Sequence, residues 1–263
     1  MEAGLDPVWD CPTNGFRPPH APAPIRDHEF YERERRGRPW QGRQNVDLDT
    51  ALVRSSNVYF ARLGVETGYQ AFNRITAAAR FNQDIALTQL PGGPYADASL
   101  APRLVAGNDA ELAQCSIGQG LMLTTPLQMA MVGAAIAMDG KLYAPRLILG
   151  EPTTVLGQVM SVTTSRRLRQ ALRETVRVGT ARRADLATID VAGKTGTAQA
   201  ATGADHAWFV AMAPADNPRI VIAIVLEHAG FASQSAVPMA AEVLRAAVRF
   251  GIVGSPPTTE GRP

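Results

Sequence analysis

The sequence predicts a layered α/β domain of the α+β kind, in which an antiparallel sheet is flanked by helices. Apolar side chains recur at helical spacing in the first part of the chain, and three β-like runs follow one another near its end. Helices, then adjacent antiparallel strands, then a covering helix are typical of a layered domain. The strand-like runs are 188–199, 206–213 and 219–228, and the covering helix is 237–250.

Composition places the chain among globular proteins. Its 263 residues suffice for one large domain or two small ones, which would bury roughly 70–75% of the unfolded surface. The net charge of +2 is too small to indicate a nucleic-acid partner. The longest apolar run, Met129 to Met138, suits a buried helix and is too short for a membrane span. Because no secretory signal is visible at Met1, we expect neither a signal nor a membrane anchor in this chain.

Residues 1–47 are predicted to be an irregular segment that leads into a domain at residues 48–250. Seven prolines interrupt this segment, and six arginines cluster among three glutamates after Pro24. A solvated loop is the favoured interpretation. The alternative, a surface for an anionic polymer or lipid, is weakened by the mixed charges. Residues 251–263 are expected to form a disordered tail.

The helical pattern begins at Asp47, is interrupted by Ser55-Ser56-Asn57 and resumes at Val58. A further helix is predicted for residues 69–80. The Gly- and Pro-rich residues 82–108 are predicted to be loop.

A strong helix start follows at Thr125, where Pro126 occupies the first turn and Gln128 is the capping-box partner. This helix is apolar nearly all round, so we expect it in the core. A charged helix with one apolar stripe is predicted for residues 164–177. The connector Pro214–Pro218 is typical of a hairpin turn between the last two strands.

The stretch Gly193-Lys194-Thr195-Gly196-Thr197 is the candidate binding site. Glycine in or near a strand often marks a place where another backbone comes close. Lys194, one of two lysines in the chain, offers a compact charge with three donors. Thr195 and Thr197 lie two apart, so their hydroxyls face the same side of an extended chain. This pattern predicts a row of donors beside an edge strand, suited to an anionic, peptide-like ligand.

Two other interpretations compete for this stretch. A phosphate-binding loop needs a glycine five residues before Gly193, and that position is Thr188. A structural strand with a solvated lysine is the commoner meaning of an isolated Lys-Thr-Gly. The motifs elsewhere in the chain decide between these interpretations.

Neither a cofactor nor a metal site is expected. The pair His28-Glu29 is followed by Glu32 where a zinc-protease helix has its second histidine. No Gly-x-Ser-x-Gly elbow occurs, and the four histidines are scattered. Cys11 and Cys115 permit at most one disulfide, which their spacing does not decide. Cys115 is interpreted as a buried small hydrophobe at a helix end.

Ser55-Ser56-Asn57 and Lys194-Thr195-Gly196, in this order, resemble two of the three motifs of penicillin-binding-protein transpeptidase domains, the serine enzymes that cross-link bacterial peptidoglycan. Three stretches without a catalytic role add to the resemblance, which covers roughly Leu48 to Phe250. It implies a penicillin-binding-protein/β-lactamase-like fold that lacks its first elements. The three stretches are Gly118-Gln119-Gly120, Thr125-Pro126-Leu127-Gln128 and His206-Ala207-Trp208-Phe209 before Ala213-Pro214.

The resemblance also implies a role for each motif residue. Ser55 would help to relay a proton to the leaving amine, the Asn57 amide would hold the substrate's peptide bond, and Lys194 would supply positive charge. Substrate binding would fall to Thr195, Gly196 and Thr197, whose two hydroxyls would bind a terminal carboxylate. The Thr197 N–H would supply half of an oxyanion hole. The implied partners are a peptidoglycan stem peptide, lying along the edge strand, and β-lactams in the same groove.

The nucleophile motif of this family, Ser-x-x-Lys, is absent from the 263 residues. Both lysines can be checked: three residues before Lys141 is Met138, and three before Lys194 is Val191. The serine of that motif attacks the substrate after the lysine has accepted its proton, and it also supplies the second oxyanion N–H. We therefore expect a domain truncated at its N-terminus and inactive as this chain stands.

The favoured hypothesis is a monofunctional D,D-transpeptidase domain, which the resemblance places at the extracytoplasmic face of the bacterial membrane, with cell-envelope assembly proteins as potential partners. A second hypothesis is a non-catalytic, penicillin-binding-like scaffold of the cell envelope. A β-lactamase-like hydrolase is disfavoured, because no glutamate stands in an identifiable deacylating context.

Overall fold

The computed structural model describes residues 6–88 and 90–254, which form two compact units. The first unit comprises residues up to 125 together with 144–159, and the second comprises 126–143 together with residues from 160 onward. In chain order the elements are β1 (Trp9–Cys11), α1 (His28–Arg35), β2 (Arg43–Val46), α2 (Leu48–Arg54), α3 (Asn57–Thr67), α4 (Tyr69–Ala78), β3 (Ile85–Ala86), β4 (Tyr95–Ala96), α5 (Asp109–Cys115), α6 (Pro126–Ala137), β5 (Lys141–Tyr143), β6 (Val155–Gln158), α7 (Val162–Arg177), β7 (Ala192–Ala198), β8 (His206–Ala213), β9 (Ile220–Leu226) and α8 (Ala236–Arg249).

The first unit is mainly helical, and its core lies where β1 and β2 meet α2 and α3. The two strands pair antiparallel, with Trp9 opposite Val46. The buried cluster combines residues of these four elements. Helices α3 and α5 approach closely, because a Cβ at Gly64 would lie only 1.9 Å from the Ser116 hydroxyl. The buried residues of the cluster are Cys11, Val46, Leu48, Ala51, Val58 and Tyr59.

The second unit is built around an antiparallel sheet in the order β7-β8-β9. Successive side chains of β8 pack on opposite faces of the sheet, as strand geometry requires. Phe209 and Ala211 are buried with Val237 and Leu244 of α8, whereas Met212 is buried with Leu172 of α7. The sheet is therefore covered by α8 on one face and by α6 and α7 on the other.

The predicted fold class is confirmed: the described elements are mixed helices and antiparallel strands, and the central sheet is flanked by helices. The interruption at Ser55-Ser56-Asn57, the helix start at Pro126, and the three strands all lie within a few residues of their predicted positions. The residues on either side of Pro214–Pro218 are joined by a hydrogen bond, in which Arg219 donates its N–H to Ala213 O at 2.9 Å. This bond closes the predicted turn.

The expectation of irregular structure before Asp47 needs a correction. Residues 28–35 form helix α1, because no proline occurs between Pro24 and Pro39 and the intervening charged residues are good helix formers. The predicted loop 82–108 likewise contains the short β3–β4 pair. The tail expected to be disordered lies outside the described residues from position 255 onward. Among residues 6–88 and 90–254, no helix is both long and apolar enough to cross a membrane.

Candidate functional site

Ser55, Ser56 and Asn57 form the junction between α2 and α3. Ser55 ends α2 in the left-handed conformation, with φ of 55°, which is uncommon for a residue other than glycine. Ser56 then caps α3, and its hydroxyl accepts the Tyr59 N–H at 3.2 Å. At this break between the two helices, Ser55 and Asn57 are half-buried on either side of the buried Ser56.

The Asn57 side chain is held by a neighbouring segment, since its Nδ2 donates to Arg26 O at 3.2 Å. The next residue of that segment, Asp27, accepts from the Ser56 hydroxyl at 2.9 Å and from the Val58 N–H at 3.0 Å. Burial of the Asp27 carboxyl raises its pKa, although these hydrogen bonds oppose the shift. Sequence reasoning placed Asp27 in an irregular segment and missed it.

The second candidate motif occupies β7, which pairs along its whole length with β8, from Ala192 opposite Met212 to Ala198 opposite His206. A Cβ at Gly193 would lie 2.7 Å from Cζ of Phe209 and 2.9 Å from Val210 O, so no larger residue fits without displacement. At Gly196 a Cβ would lie 3.2 Å from Cβ of Trp208. The glycines therefore mark the close backbone approach that the sequence predicted.

Lys194 is half-buried, and its Nζ donates to Thr195 O at 2.9 Å. Desolvation lowers the pKa of Lys194 from 10.5 to about 8, because removal from water disfavours the charged ammonium. At neutral pH the side chain still carries its charge, so it can bind a carboxylate.

Two threonines outside the motif brace β7 within the second unit. Thr175, fully buried on α7, donates its hydroxyl to Leu172 O at 2.8 Å and also to Gly193 O. The Thr180 hydroxyl lies 2.6 Å from that of Thr195, so the two side chains share a hydrogen bond. Thr197 is exposed. In the sequence, the position of Thr175 beside the apolar stripe of α7 was the one sign that a polar side chain on this helix is buried against another element.

The structure thus brings Ser55 and Asn57 together at one helix junction, and it brings Lys194, Thr195, Gly196 and Thr197 together on one strand. Among the described residues, no group of three or more His, Cys, Asp or Glu side chains could hold a metal ion. Cys11 and Cys115 are buried and form no disulfide. Burial, together with Glu111, raises the pKa of Cys115 to about 12, so this thiol is a poor nucleophile.

The family model described as the penicillin-binding-protein transpeptidase domain matches residues 22–248 of the chain. This chain belongs to that family. Its predicted family and fold are therefore confirmed, while the role of each motif residue stays a prediction.

Curated relatives agree with this assignment. Peptidoglycan D,D-transpeptidase PbpA of Mycolicibacterium smegmatis is 31% identical over 237 residues, which cover 82% of this chain and 46% of that protein. Peptidoglycan D,D-transpeptidase MrdA of Haemophilus influenzae is 28% identical, and the match covers 80% of this chain and 38% of MrdA. The chain spans less than half the length of these relatives.

Solved structures with the same fold include the D,D-transpeptidase domain of a peptidoglycan glycosyltransferase from Eggerthella lenta. It has a TM-score of 0.75 and 31% identity, and the match covers 94% of this chain and 61% of that one. Penicillin-binding protein A from Mycobacterium tuberculosis, solved as its imipenem acyl-enzyme complex, has a TM-score of 0.78 and 25% identity, with coverage of 93% and 56%.

Replacing Gly193 with alanine tests the close approach of β7 and β8. We expect Gly193→Ala to lower the free energy of unfolding by about 1–3 kcal/mol, the usual cost of forcing a methyl group into filled space. Denaturant unfolding measures this change. The matched control is Gly157→Ala on β6, where a Cβ would meet nothing within 4 Å. Equal stability of the two variants would contradict the crowding seen at Gly193.

The lowered pKa of Lys194 predicts a pH dependence of stability. Between about pH 8 and 10.5 the unfolded chain holds this proton and the folded chain does not, so raising the pH favours folding in that window. The free energy of unfolding of the wild type should therefore rise relative to that of Lys194→Met from pH 8 to 10. Parallel curves for the two proteins in denaturant titrations would show that Lys194 titrates normally.

Proposed function

We propose that this chain provides the peptide-docking part of a peptidoglycan D,D-transpeptidase site and binds stem peptides through their terminal carboxylate. The observation that carries the proposal is the glycine-permitted strand β7, which presents a desolvated lysine and two threonines on one strand at the edge of its sheet. The family's substrate class, cross-linking peptides of peptidoglycan, supplies the ligand.

The carboxylate is bound by the hydroxyls of Thr195 and Thr197, which share one side of β7, and by the ammonium of Lys194, whose side chain leaves the strand on the other side but lies 2.9 Å from Thr195 O. A partly desolvated ammonium attracts a carboxylate more strongly than a fully hydrated one, since the effective dielectric constant is lower. The hydroxyls of Thr180 and Thr195 share a hydrogen bond in which either can donate; when Thr180 donates, Thr195 can give its own proton to a carboxylate oxygen. The donors therefore match an anion rather than a neutral terminus.

The peptide backbone runs beside β7 as an added strand. Because β8 uses one side of β7, the other side can offer N–H and C=O groups to a ligand. The Thr197 N–H serves as one oxyanion donor. Ser55 relays a proton, and the Asn57 amide holds a peptide bond of the substrate. β-Lactams, which mimic the peptide and carry a carboxylate, occupy the same donors.

Acyl transfer by this chain alone is not part of the proposal. Its two lysines are preceded at the third position by Met138 and Val191, so no Ser-x-x-Lys pair is available to attack and to accept the proton. The docking site acts at the extracytoplasmic face of the membrane, where peptidoglycan is assembled, and other cell-envelope proteins are potential partners.

The proposal predicts that the two lysines differ in their importance for ligand binding. We expect Lys194→Met to weaken binding of diacetyl-L-lysyl-D-alanyl-D-alanine about tenfold or more, because a charge-assisted hydrogen bond contributes about 1.5–3 kcal/mol. Isothermal titration calorimetry measures the affinity. The matched control is Lys141→Met, which removes an exposed lysine and should leave the affinity unchanged. Affinity for the C-terminal amide of the same peptide should be low and insensitive to either change.

Affinity of the wild type for the free peptide should fall as the pH rises through about 8, because Lys194 then loses its charge. Equal affinity for acid and amide, or an equal effect of the two lysine substitutions, would exclude carboxylate docking and leave the scaffold hypothesis. Covalent labelling of the purified chain by a fluorescent penicillin would show instead that it has a working nucleophile.

A further inference from the structure

The dipeptide Arg26-Asp27 binds all three residues of the segment Ser56-Asn57-Val58. The Ser56 hydroxyl donates to both carboxylate oxygens of Asp27, at 2.9 and 3.1 Å. The Val58 N–H donates to Asp27 Oδ1 at 3.0 Å, and Asn57 Nδ2 donates to Arg26 O at 3.2 Å. All of these residues belong to the first unit.

Asp27 precedes helix α1 but does not cap it with its side chain. It is the N-cap of α1, where an aspartate normally accepts an N–H from the first turn of its own helix. Its side chain makes no such bond and instead serves the first turn of α3. A negative charge at the start of the 11-residue helix α3 is also favoured by the helix dipole.

The site of these contacts is nearly dry, since Asp27 is 5% and Ser56 is 2% exposed. A buried carboxylate is costly unless its oxygens are hydrogen-bonded, so the arrangement persists only while Ser56 and Val58 keep their positions. Asn57 lies between these two residues, and one of its amide N–H groups is held by Arg26 O. This hydrogen bond fixes the orientation of the Asn57 amide. The amide oxygen and the second N–H, which a ligand would meet, are oriented with it.

We propose that Asp27 is a positioning residue that acts through Asn57, holding the amide of Asn57 in the orientation required for peptide docking. The proposal rests on the proposed function for its ligand. Asp27 itself does not touch the peptide. Its effect on binding is therefore conditional on Asn57, which distinguishes positioning from a general contribution to stability.

The test is a double-mutant cycle with diacetyl-L-lysyl-D-alanyl-D-alanine as the probe, at a temperature where every variant is folded. We expect Asp27→Ala to weaken binding about tenfold, because it leaves buried donors unpaired. Asp27→Asn, which keeps one acceptor oxygen, should recover part of that loss. In an Asn57→Ala background, neither substitution should weaken binding further.

The matched control is Asp47→Ala, which removes the N-cap carboxylate of α2 that accepts the Thr50 N–H at 2.8 Å. It should lower stability as Asp27→Ala does but change the affinity less than twofold. Additive effects of the Asp27 and Asn57 substitutions, or an Asp27→Asn affinity equal to that of the wild type, would overturn the positioning role while leaving the docking function in place.

The side-chain amide signals of Asn57 in the ligand-free protein give a second readout that needs no binding. If the wild type fails to bind the probe, the proposed function fails, and these signals still decide the role of Asp27. We expect Asp27→Asn to shift both amide proton signals of Asn57 and Asp47→Ala to leave them in place. Unchanged signals in Asp27→Asn would refute the inference.

Discussion

The close approach of β7 to β8 is the constraint on which the rest of the candidate site depends. Gly193 lies where any Cβ would collide with Phe209, and Phe209 is itself fully buried under α8. The core therefore fixes β8, and β8 fixes β7. A strand held in this way can present Lys194 and its neighbouring hydroxyls with little freedom to move, so that little entropy is lost when a ligand binds.

Both candidate motifs are held by buried polar groups rather than by apolar packing alone. Thr175 binds the carbonyl of Gly193 from α7, and Asp27 binds the first turn of α3. Such contacts are directional, whereas apolar contacts of similar area permit small rotations. A buried polar group also makes the wrong geometry expensive, because an unpaired donor or acceptor costs about 1–3 kcal/mol. The orientation of the motif residues thus depends on buried polar groups of other elements.

The parts of the fold that were predictable from sequence are those that local patterns specify. Pro126 at a first helical turn, the break at Ser55-Ser56-Asn57 and the aliphatic run of β9 each identify their own element. The residues that were missed act across long separations: Asp27 meets Ser56 over 29 positions, and Thr175 meets Gly193 over 18. Helix α1 was missed because prolines on both sides outweighed the charged stretch between them. Family motifs located the candidate residues, but only tertiary contacts reveal what orients them.

The most direct test of the account is a titration of the ¹⁵N-labelled chain with diacetyl-L-lysyl-D-alanyl-D-alanine, followed by NMR. We expect the backbone signals of Lys194–Thr197 to shift progressively as the peptide is added and to fit one saturable dissociation constant. Signals of Lys194–Thr197 that stay in place at the highest peptide concentration would contradict the claim that β7 docks the peptide.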